Sequence, residues 1–121
     1  MERTRFIDHK GARILFLDFS GLADPEEAVK AISDAKAIVV SQPEKSLLTL
    51  TDVGGVSTDA TIAQALWELL RHNKPYVRAG AVVGIAGDQQ DDLYHLLIHQ
   101  ARREVPAFTD IEEAKEWLVG Q

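Results

Sequence analysis

The sequence predicts a single α/β domain, built on a mixed, mostly parallel sheet of four to five strands with about four helices. The 121 residues suffice for one hydrophobic core, and no stretch has the composition of a linker. Apolar, β-branched runs alternate with segments whose apolar residues recur at helical spacing, which is typical of parallel strands connected by helices. Only Lys10 and Gly11 separate the first two runs, so the chain is expected to open with an antiparallel hairpin.

The first half of the chain contains two strands and a helix. Residues 3–8 and 12–19 are the hairpin strands, and the second is so continuously apolar that it should be a central strand covered on both faces. Asp24 is a predicted N-cap, with Pro25 at the first helical position and Glu27 completing a capping box. The apolar positions of this helix follow at helical spacing: Ala28, Ile32, Ala35 and Val39.

The end of the first helix has two interpretations. Residues 37–40 are rich in β-branched side chains and could instead form a strand. We assign them to the helix because Pro43 and Ser46 separate them from the next apolar run. That run, residues 46–52, is the third strand.

A second helix should start near residues 57–59 and end before Pro75. The basic residues near its end, Arg71, His72 and Lys74, would interact favourably with the C-terminal end of the helix dipole. Its apolar stripe is predicted to be Ile62, Leu66, Leu69 and Leu70.

The last third of the chain continues the alternation. Residues 81–85 are predicted as the fourth strand and residues 88–104 as a helix that buries Leu93, Leu96 and Leu97. A short edge strand is expected at Ala107 and Phe108. Thr109 and Glu112 form a second capping box, and Ile111, Ala114 and Leu118 line the final helix.

Composition restricts the classes of function. A net charge of −6 argues against general nucleic-acid binding, which requires clustered Lys and Arg. The chain has no cysteine, which excludes disulfides, a thiol nucleophile and a Cys-ligated metal, and fits a cytoplasmic location. The N-terminal residues lack the apolar core of a secretory signal, and no apolar run approaches the ~20 residues that span a bilayer.

Four stretches, spread over nearly the whole chain, carry a resemblance to a known family. They are ILFLDFSGL at 14–22, SLLTLTDVGG at 46–55, NKPYVRAGAVVGIAG at 73–87 and FTDIEEAKEWL at 108–118. In this order they resemble the STAS domain, and most closely its small stand-alone SpoIIAA-like (STAS/SEC14-type) members. The resemblance implies one STAS-like domain over residues 1–121 with a non-catalytic regulatory or protein-interaction role, as in the bacterial anti-sigma-factor antagonists.

The chain departs from that family at one informative position. Partner-switching STAS antagonists carry Asp-Ser-Ser/Thr-Gly after the third strand, and the second hydroxyl residue is phosphorylated. Here the run is Asp52, Val53, Gly54 and Gly55, so Gly54 stands where the phosphoacceptor would be. Ser57 and Thr58 lie just beyond, and N-capping is the simpler interpretation of both.

Polar, glycine-containing loops follow three of the predicted strands, and they define the candidate site. They lie at residues 18–21, 52–55 and 84–88, and parallel strands would gather them at one edge of the sheet, where α/β proteins bind ligands. The candidate ligand- or partner-binding residues are Asp18, Ser20, Asp52, Val53, Gly54, Gly55, Ser57 and Thr58. Their backbone N–H groups and the helix start near residue 57 could bind an anion. The simpler interpretation is a tight structural turn, since no complete phosphate-binding motif is present.

Catalytic and metal-binding interpretations find less support. Asp18 and Asp52 could hold Mg²⁺, but the second acidic residue and the lysine of a phosphoreceiver site are missing. His95 and His99 have the i, i+4 spacing of a helical metal pair without the glutamate of HExxH. A serine triad would need Ser20 or Ser57 in a GxSxG turn, and neither is. We therefore expect no catalytic set, no metal and no cofactor.

Three hypotheses of function follow. The first is a regulatory or protein-interaction module. The second is a small-ligand binder that takes a lipid or a nucleotide, as the resemblance suggests, at the strand ends or in an apolar pocket between helices. An enzyme is the least supported. We also expect a homodimer, because related stand-alone domains often pair and because aromatics of the kind enriched at interfaces are present: Trp67, Tyr76, Tyr94 and Trp117.

Overall fold

A computed structural model describes residues 3–56, 60–84 and 106–121. Four main strands and a short fifth form one mixed sheet in the order β1-β2-β3-β4-β5. The strands are β1 (Thr4–His9), β2 (Ala12–Asp18), β3 (Leu47–Asp52), β4 (Val77–Val83) and β5 (Ala107–Phe108). The described helices are α1 (Pro25–Val40), α2 (Ala60–Asn73) and α3 (Ile111–Val119), and a 3₁₀ turn (Lys74–Tyr76) follows α2.

The opening hairpin is confirmed. β1 and β2 pair antiparallel from Thr4 opposite Leu17 to His9 opposite Ala12. Lys10 and Gly11 both adopt positive φ, 51° and 82°, as a two-residue hairpin turn of this handedness requires. The remaining strand pairs, β2–β3, β3–β4 and β4–β5, are parallel, so the predicted mixed, mostly parallel sheet is confirmed.

The sheet is buried on both faces. Alternate residues of β2 enter two different clusters: Leu15 and Leu17 pack beneath α1 and α2, whereas Ile14 and Phe16 pack with the residues that α3 buries. This explains why β2 and β3 have almost continuous apolar sequences, since neither face of these strands is left to water.

Helix α1 follows its sequence pattern. The Asp24 carboxylate accepts the N–H of Glu27 at 3.2 Å, and the four predicted apolar positions are all buried. The helix continues to Val40, so residues 37–40 are helical as predicted. Val39 is fully buried and Val40 is 49% exposed, which follows from their positions around the helix rather than from their shared propensity for strands.

Two predicted boundaries are wrong. β4 begins at Val77 and ends at Val83, not at residues 81–85. The polar Arg78 and the glycine at position 80 concealed its first half, although Gly80 fits there because a Cβ would lie 2.8 Å from the Thr49 hydroxyl oxygen of β3. The N-cap of α3 is Asp110 rather than Thr109, since the Asp110 carboxylate accepts the Glu112 N–H at 2.9 Å.

The other helix predictions are confirmed only in part. In α2, Ile62, Leu66 and Leu69 are buried and Leu70 is half-buried. The predicted start of α2 at residues 57–59 and the predicted helix at 88–104 lie outside the described residues. Within the described ranges, no helix combines the length and the apolar character that a bilayer span requires.

An ionic cluster joins the hairpin turn to α3. The Glu116 carboxylate accepts a hydrogen bond from the Lys10 ammonium and lies 3.2 Å from the His9 Nε2 atom. The neighbouring ammonium holds the pKa of Glu116 below its usual value. Because the pKa is lower in the folded state, the contribution of this cluster to stability is fully present above the ordinary pKa of a glutamate, and it is lost as the pH falls through the lower folded-state value.

Removal of the ammonium should therefore change the titration of Glu116. In Lys10→Met we expect the Glu116 pKa to rise toward that of a free glutamate, as followed by the carboxyl carbon shift in an NMR titration. Lys115→Met is the matched control, because Lys115 pairs with Glu112 at 3.1 Å. Identical Glu116 titration curves in wild type and Lys10→Met would contradict the assignment.

Candidate functional site

Two of the loops predicted to form the site have the same local geometry. In the DFSG loop (residues 18–21), the Asp18 Oδ1 atom accepts the Ser20 N–H at 3.1 Å. In the DVGG loop (residues 52–55), the Asp52 Oδ1 atom accepts the Gly54 N–H at 2.9 Å. Each loop is therefore an aspartate turn in which the carboxylate pairs with the backbone two residues ahead.

The remaining positions of the two loops also correspond. The second residue of each, Phe19 or Val53, is completely buried in the core under α1 and α2. The fourth residue of each is a glycine at positive φ, 74° for Gly21 and 72° for Gly55. The sequence pattern of aspartate, apolar residue, small residue and glycine thus specifies one turn, used twice.

Backbone hydrogen bonds extend the parallel sheet into these loops. The Phe19 N–H donates to the Asp52 carbonyl at 2.9 Å, and the Gly21 N–H donates to the Gly54 carbonyl at 2.7 Å. On the other side, the Val53 N–H donates to the carbonyl of Val83 at 3.0 Å. The predicted gathering of the strand ends at one edge of the sheet is therefore correct for the described part of the three loops.

Glycines allow the loops to approach so closely. A Cβ on Gly55 would lie 3.6 Å from the Gly21 backbone. A Cβ on Gly84, whose φ is +91°, would lie 2.6 Å from the Gly54 Cα atom and closer still to its amide nitrogen. Contact between backbones thus occupies the space beside Gly54.

Arg3, which directly precedes β1, supports the DFSG loop, and sequence reasoning missed it. One guanidinium nitrogen, Nη1, donates to the Ser20 carbonyl at 2.9 Å and to the Asp18 carbonyl at 3.3 Å. No local pattern reveals this contact, because the two partners lie 15 and 17 positions further along the chain. The hairpin register brings them together.

Asp18 and Asp52 lie side by side, and each carboxylate already accepts a hydrogen bond within its own loop. Asp18 and Asp52 are direct partners in the β2–β3 register. The Asp18 carboxylate also accepts the Ser20 hydroxyl at 2.5 Å, in addition to the backbone bond. Among the described residues, no group of three or more His, Cys, Asp or Glu side chains could hold a metal ion. The geometry corresponds to structural turns, with the carboxylates satisfying N–H groups at the strand ends.

Several predicted features fall outside the described residues. They are Ser57 and Thr58, the third loop beyond Gly84, the histidine pair His95 and His99, and Tyr94.

The described aromatics make contacts within the chain. Trp117 lies beside Phe108 with ring centroids 6.0 Å apart, and Tyr76 packs partly buried under α2. The Trp67 ring has the Arg71 guanidinium 5.0 Å from its centroid. Part of the aromatic surface on which the homodimer prediction rests is therefore used in folding.

Removal of the Asp52 carboxylate should weaken the DVGG loop. We expect Asp52→Ala to lower the free energy of unfolding by about 1 kcal/mol, the usual cost of a lost turn or cap hydrogen bond. Asp52→Asn keeps an acceptor oxygen and should cost less. Urea unfolding measures both. Equal stability of the alanine variant and the wild type would show that the Asp52–Gly54 bond does not hold the turn.

Comparison with known proteins assigns no family: no family model matches the chain, and no curated protein matches it.

Proposed function

We propose that this protein is a non-catalytic regulatory or protein-interaction module of the STAS type. The supporting observations are the hydrogen bonds within the strand-end loops and the residue at position 54. Asp18 and Asp52 accept hydrogen bonds from their own loops, and Gly54 occupies the position at which switching members carry a phosphoacceptor. These loops then serve as a rigid frame for the domain, and the function is carried by a surface that binds another protein.

The groove between α1 and α2 is the surface we assign to that partner. Its volume is about 670 Å³, and both helices contribute polar and apolar side chains to its walls. The lining residues are Val29, Ile32, Ser33, Lys36, Thr61, Gln64, Ala65 and Glu68. Val29 is 45% exposed there, and Val40 at 49% is the other large aliphatic residue exposed among the described positions. A single exposed valine is ordinary on a protein surface. The assignment therefore rests on the groove as a whole, in which apolar side chains of both helices are surrounded by polar ones, as in the core and rim of an interface.

The two exposed valines provide a matched pair of variants on one helix. The tagged wild type and the variants Val29→Asp and Val40→Asp are incubated with a lysate of the source organism, and captured proteins are identified by mass spectrometry. We expect the wild type and Val40→Asp to retain the same partner and Val29→Asp to lose it. Capture of no partner, or equal capture by all three proteins, would argue against the proposal.

The departure at Gly54 leads to a separate prediction. Incubation with an anti-sigma-type kinase and ATP should add no phosphate at the DVGG loop, because no hydroxyl is present in it. Intact-mass analysis should give the unmodified mass, with a STAS antagonist that carries the serine as the positive control. A phosphopeptide that maps to Ser57 or Thr58 would contradict this prediction.

A second groove favours the alternative of a small-ligand binder. It lies between the start of β1 and α1, has a volume of about 380 Å³, and adjoins the DFSG loop through Arg3. Arg3 and Lys30 line it together with Thr4, whose buried hydroxyl oxygen has no hydrogen-bond partner among the described residues. These donors suit the phosphate of a nucleotide or of a lipid headgroup, whereas Glu27 and Asp34 on the same walls offset the positive charge, so this function stays the alternative.

Native mass spectrometry separates the two proposals and also tests the proposed homodimer. A retained small ligand that is lost in Lys30→Ala supports the alternative, whereas the bare mass of the chain or its dimer opposes it. A mass of one 13.4 kDa chain at micromolar concentration opposes the dimer.

A further inference from the structure

The domain is open on one side in both of its layers. In the sheet, β1 is an edge strand whose one partner among the described strands is β2. In the helix layer, α1 packs against α2 along one side, whereas its other side borders the groove next to β1. The outer edge of β1 and the groove-lining residues of α1 together form the β1–α1 edge.

The backbone of β1 has unpaired hydrogen-bonding groups at this edge. The Asp18 N–H donates to the Arg3 carbonyl at 2.8 Å, so this pair is a hydrogen-bonded pair of the antiparallel ladder. Hydrogen-bonded and non-hydrogen-bonded pairs alternate along such a ladder, which directs the N–H and C=O groups of Phe6 and Asp8 away from β2. These groups have no partner in the described part of the chain. An unpaired strand edge is a template for another strand.

The α1 side of the edge carries charges of both signs. Glu27, Lys30 and Asp34 recur at helical spacing and line the groove beside β1. None of the three forms an ion pair with another described residue. Ala31 and Ile38 belong to the same stripe and are partly buried. The stripe therefore combines a small apolar residue near its middle with opposite charges four residues apart.

The order of these charges favours one kind of occupant. An anion would meet the carboxylates of Glu27 and Asp34 as well as the ammonium of Lys30. A second copy of the chain, related by a two-fold axis, presents the same stripe in the opposite direction. If the axis passes midway between Lys30 and Asp34, each ammonium lies opposite a carboxylate of the other copy. The stripe is then complementary to itself, and the small side chain of Ala31 lets the two helices approach.

We propose that two copies of this chain associate through the β1–α1 edge about a two-fold axis. β1 pairs antiparallel with β1 of the partner subunit, which joins the two sheets into one. α1 packs antiparallel beside α1 of the partner subunit, and Lys30 and Asp34 form two symmetric ion pairs between the helices. This arrangement gives a surface to the proposed homodimer, and it leaves the groove between α1 and α2 free for the proposed protein partner.

Charge reversal tests the helix part of the interface. Sedimentation equilibrium gives the dissociation constants of the dimers of the wild type, Lys30→Glu and Lys30→Glu/Asp34→Lys. The single variant replaces both ion pairs by repulsion, so its dissociation constant should rise roughly tenfold or more. The double variant restores opposite charges and should return to within about threefold of the wild type. Lys36→Glu is the matched control, because it changes the net charge equally but lines the groove between α1 and α2.

A proline tests the strand part of the interface. Asp8→Pro removes an N–H that points away from β2, so the hairpin ladder keeps its hydrogen bonds. We expect Asp8→Pro to dimerise roughly tenfold more weakly than Asp8→Ala, because the second strand loses a backbone donor and meets the proline ring. Circular dichroism establishes that both variants are folded.

Four results would overturn the proposal. They are a single-chain mass for the wild type at micromolar concentration, equal dissociation constants for Lys30→Glu and Lys36→Glu, a double variant as weak as Lys30→Glu, and a folded Asp8→Pro that dimerises as well as Asp8→Ala. A single-chain wild type that retains a small ligand, lost in Lys30→Glu, would assign the groove to that ligand. These results leave the proposed function standing, because its test is the capture of a partner that depends on Val29.

Discussion

Gly84→Ala is expected to be the most damaging glycine substitution at the strand ends. The residue adopts φ +91°, where a side chain costs roughly 1–2 kcal/mol. The added Cβ would also press on the Gly54 backbone, 2.6 Å from its Cα atom, and forced overpacking costs about 1–3 kcal/mol more. We therefore expect a loss of about 2–5 kcal/mol in the free energy of unfolding, measured by urea unfolding.

Alanine substitutions at the other loop glycines should lower the free energy of unfolding by smaller amounts, and they can be compared with Gly84→Ala. Gly55→Ala should cost about 1–2 kcal/mol, because its φ is +72° but its nearest neighbour is 3.6 Å away. Gly54→Ala should cost less, since its φ is not positive and its tightest new contact, to the Asp52 Oδ1 atom, is 3.1 Å. Gly120→Ala is the control, with φ −87° and no contact under 3.5 Å. If Gly54→Ala destabilises the fold more than Gly55→Ala, the described loop geometry is wrong.

Phe19→Ala should be about as harmful, for a different reason. Phe19 belongs to the DFSG loop, yet its side chain is completely buried in the cluster beneath α1 and α2. Removal of a buried phenylalanine side chain typically costs about 3–5 kcal/mol, through lost burial and the cavity left behind. Urea unfolding gives the magnitude.

Phe19→Leu is the matched variant for that experiment. It keeps an apolar side chain at the position and should cost much less than the alanine variant. Amide hydrogen exchange at Gly21 adds a local measurement, because its N–H donates to the Gly54 carbonyl across the two loops. If the Gly21 amide exchanges faster in Phe19→Ala than the loss of global stability predicts, the Phe19 side chain anchors the loop. If alanine and leucine cost the same, the side chain does not fill the core as described.

Local patterns in the sequence determined most of the individual elements. The hairpin turn at Lys10 and Gly11 and the cap of α1 at Asp24 depend on residues that are neighbours along the chain, so short-range chemistry predicts them. The β-branched tail of α1 was also predicted from local sequence, because Pro43 and Ser46 separate it from the next strand; in the helix Val39 turns inward and Val40 outward. The aspartate turns after β2 and β3 belong to the same class, because each carboxylate binds an N–H only two residues ahead.

The tertiary structure alone decided what depends on distant residues. It assigned the positive φ of the DVGG pair to Gly55, and it placed the backbone of Gly84 against Gly54. It extended β4 back to Val77 through Gly80, whose fit depends on a threonine of β3. It also placed Arg3 against the DFSG loop. A sequence specifies turns and periodicity through neighbouring residues, whereas close backbone approach and long-range hydrogen bonds depend on strand register, which exists only once the sheet has formed.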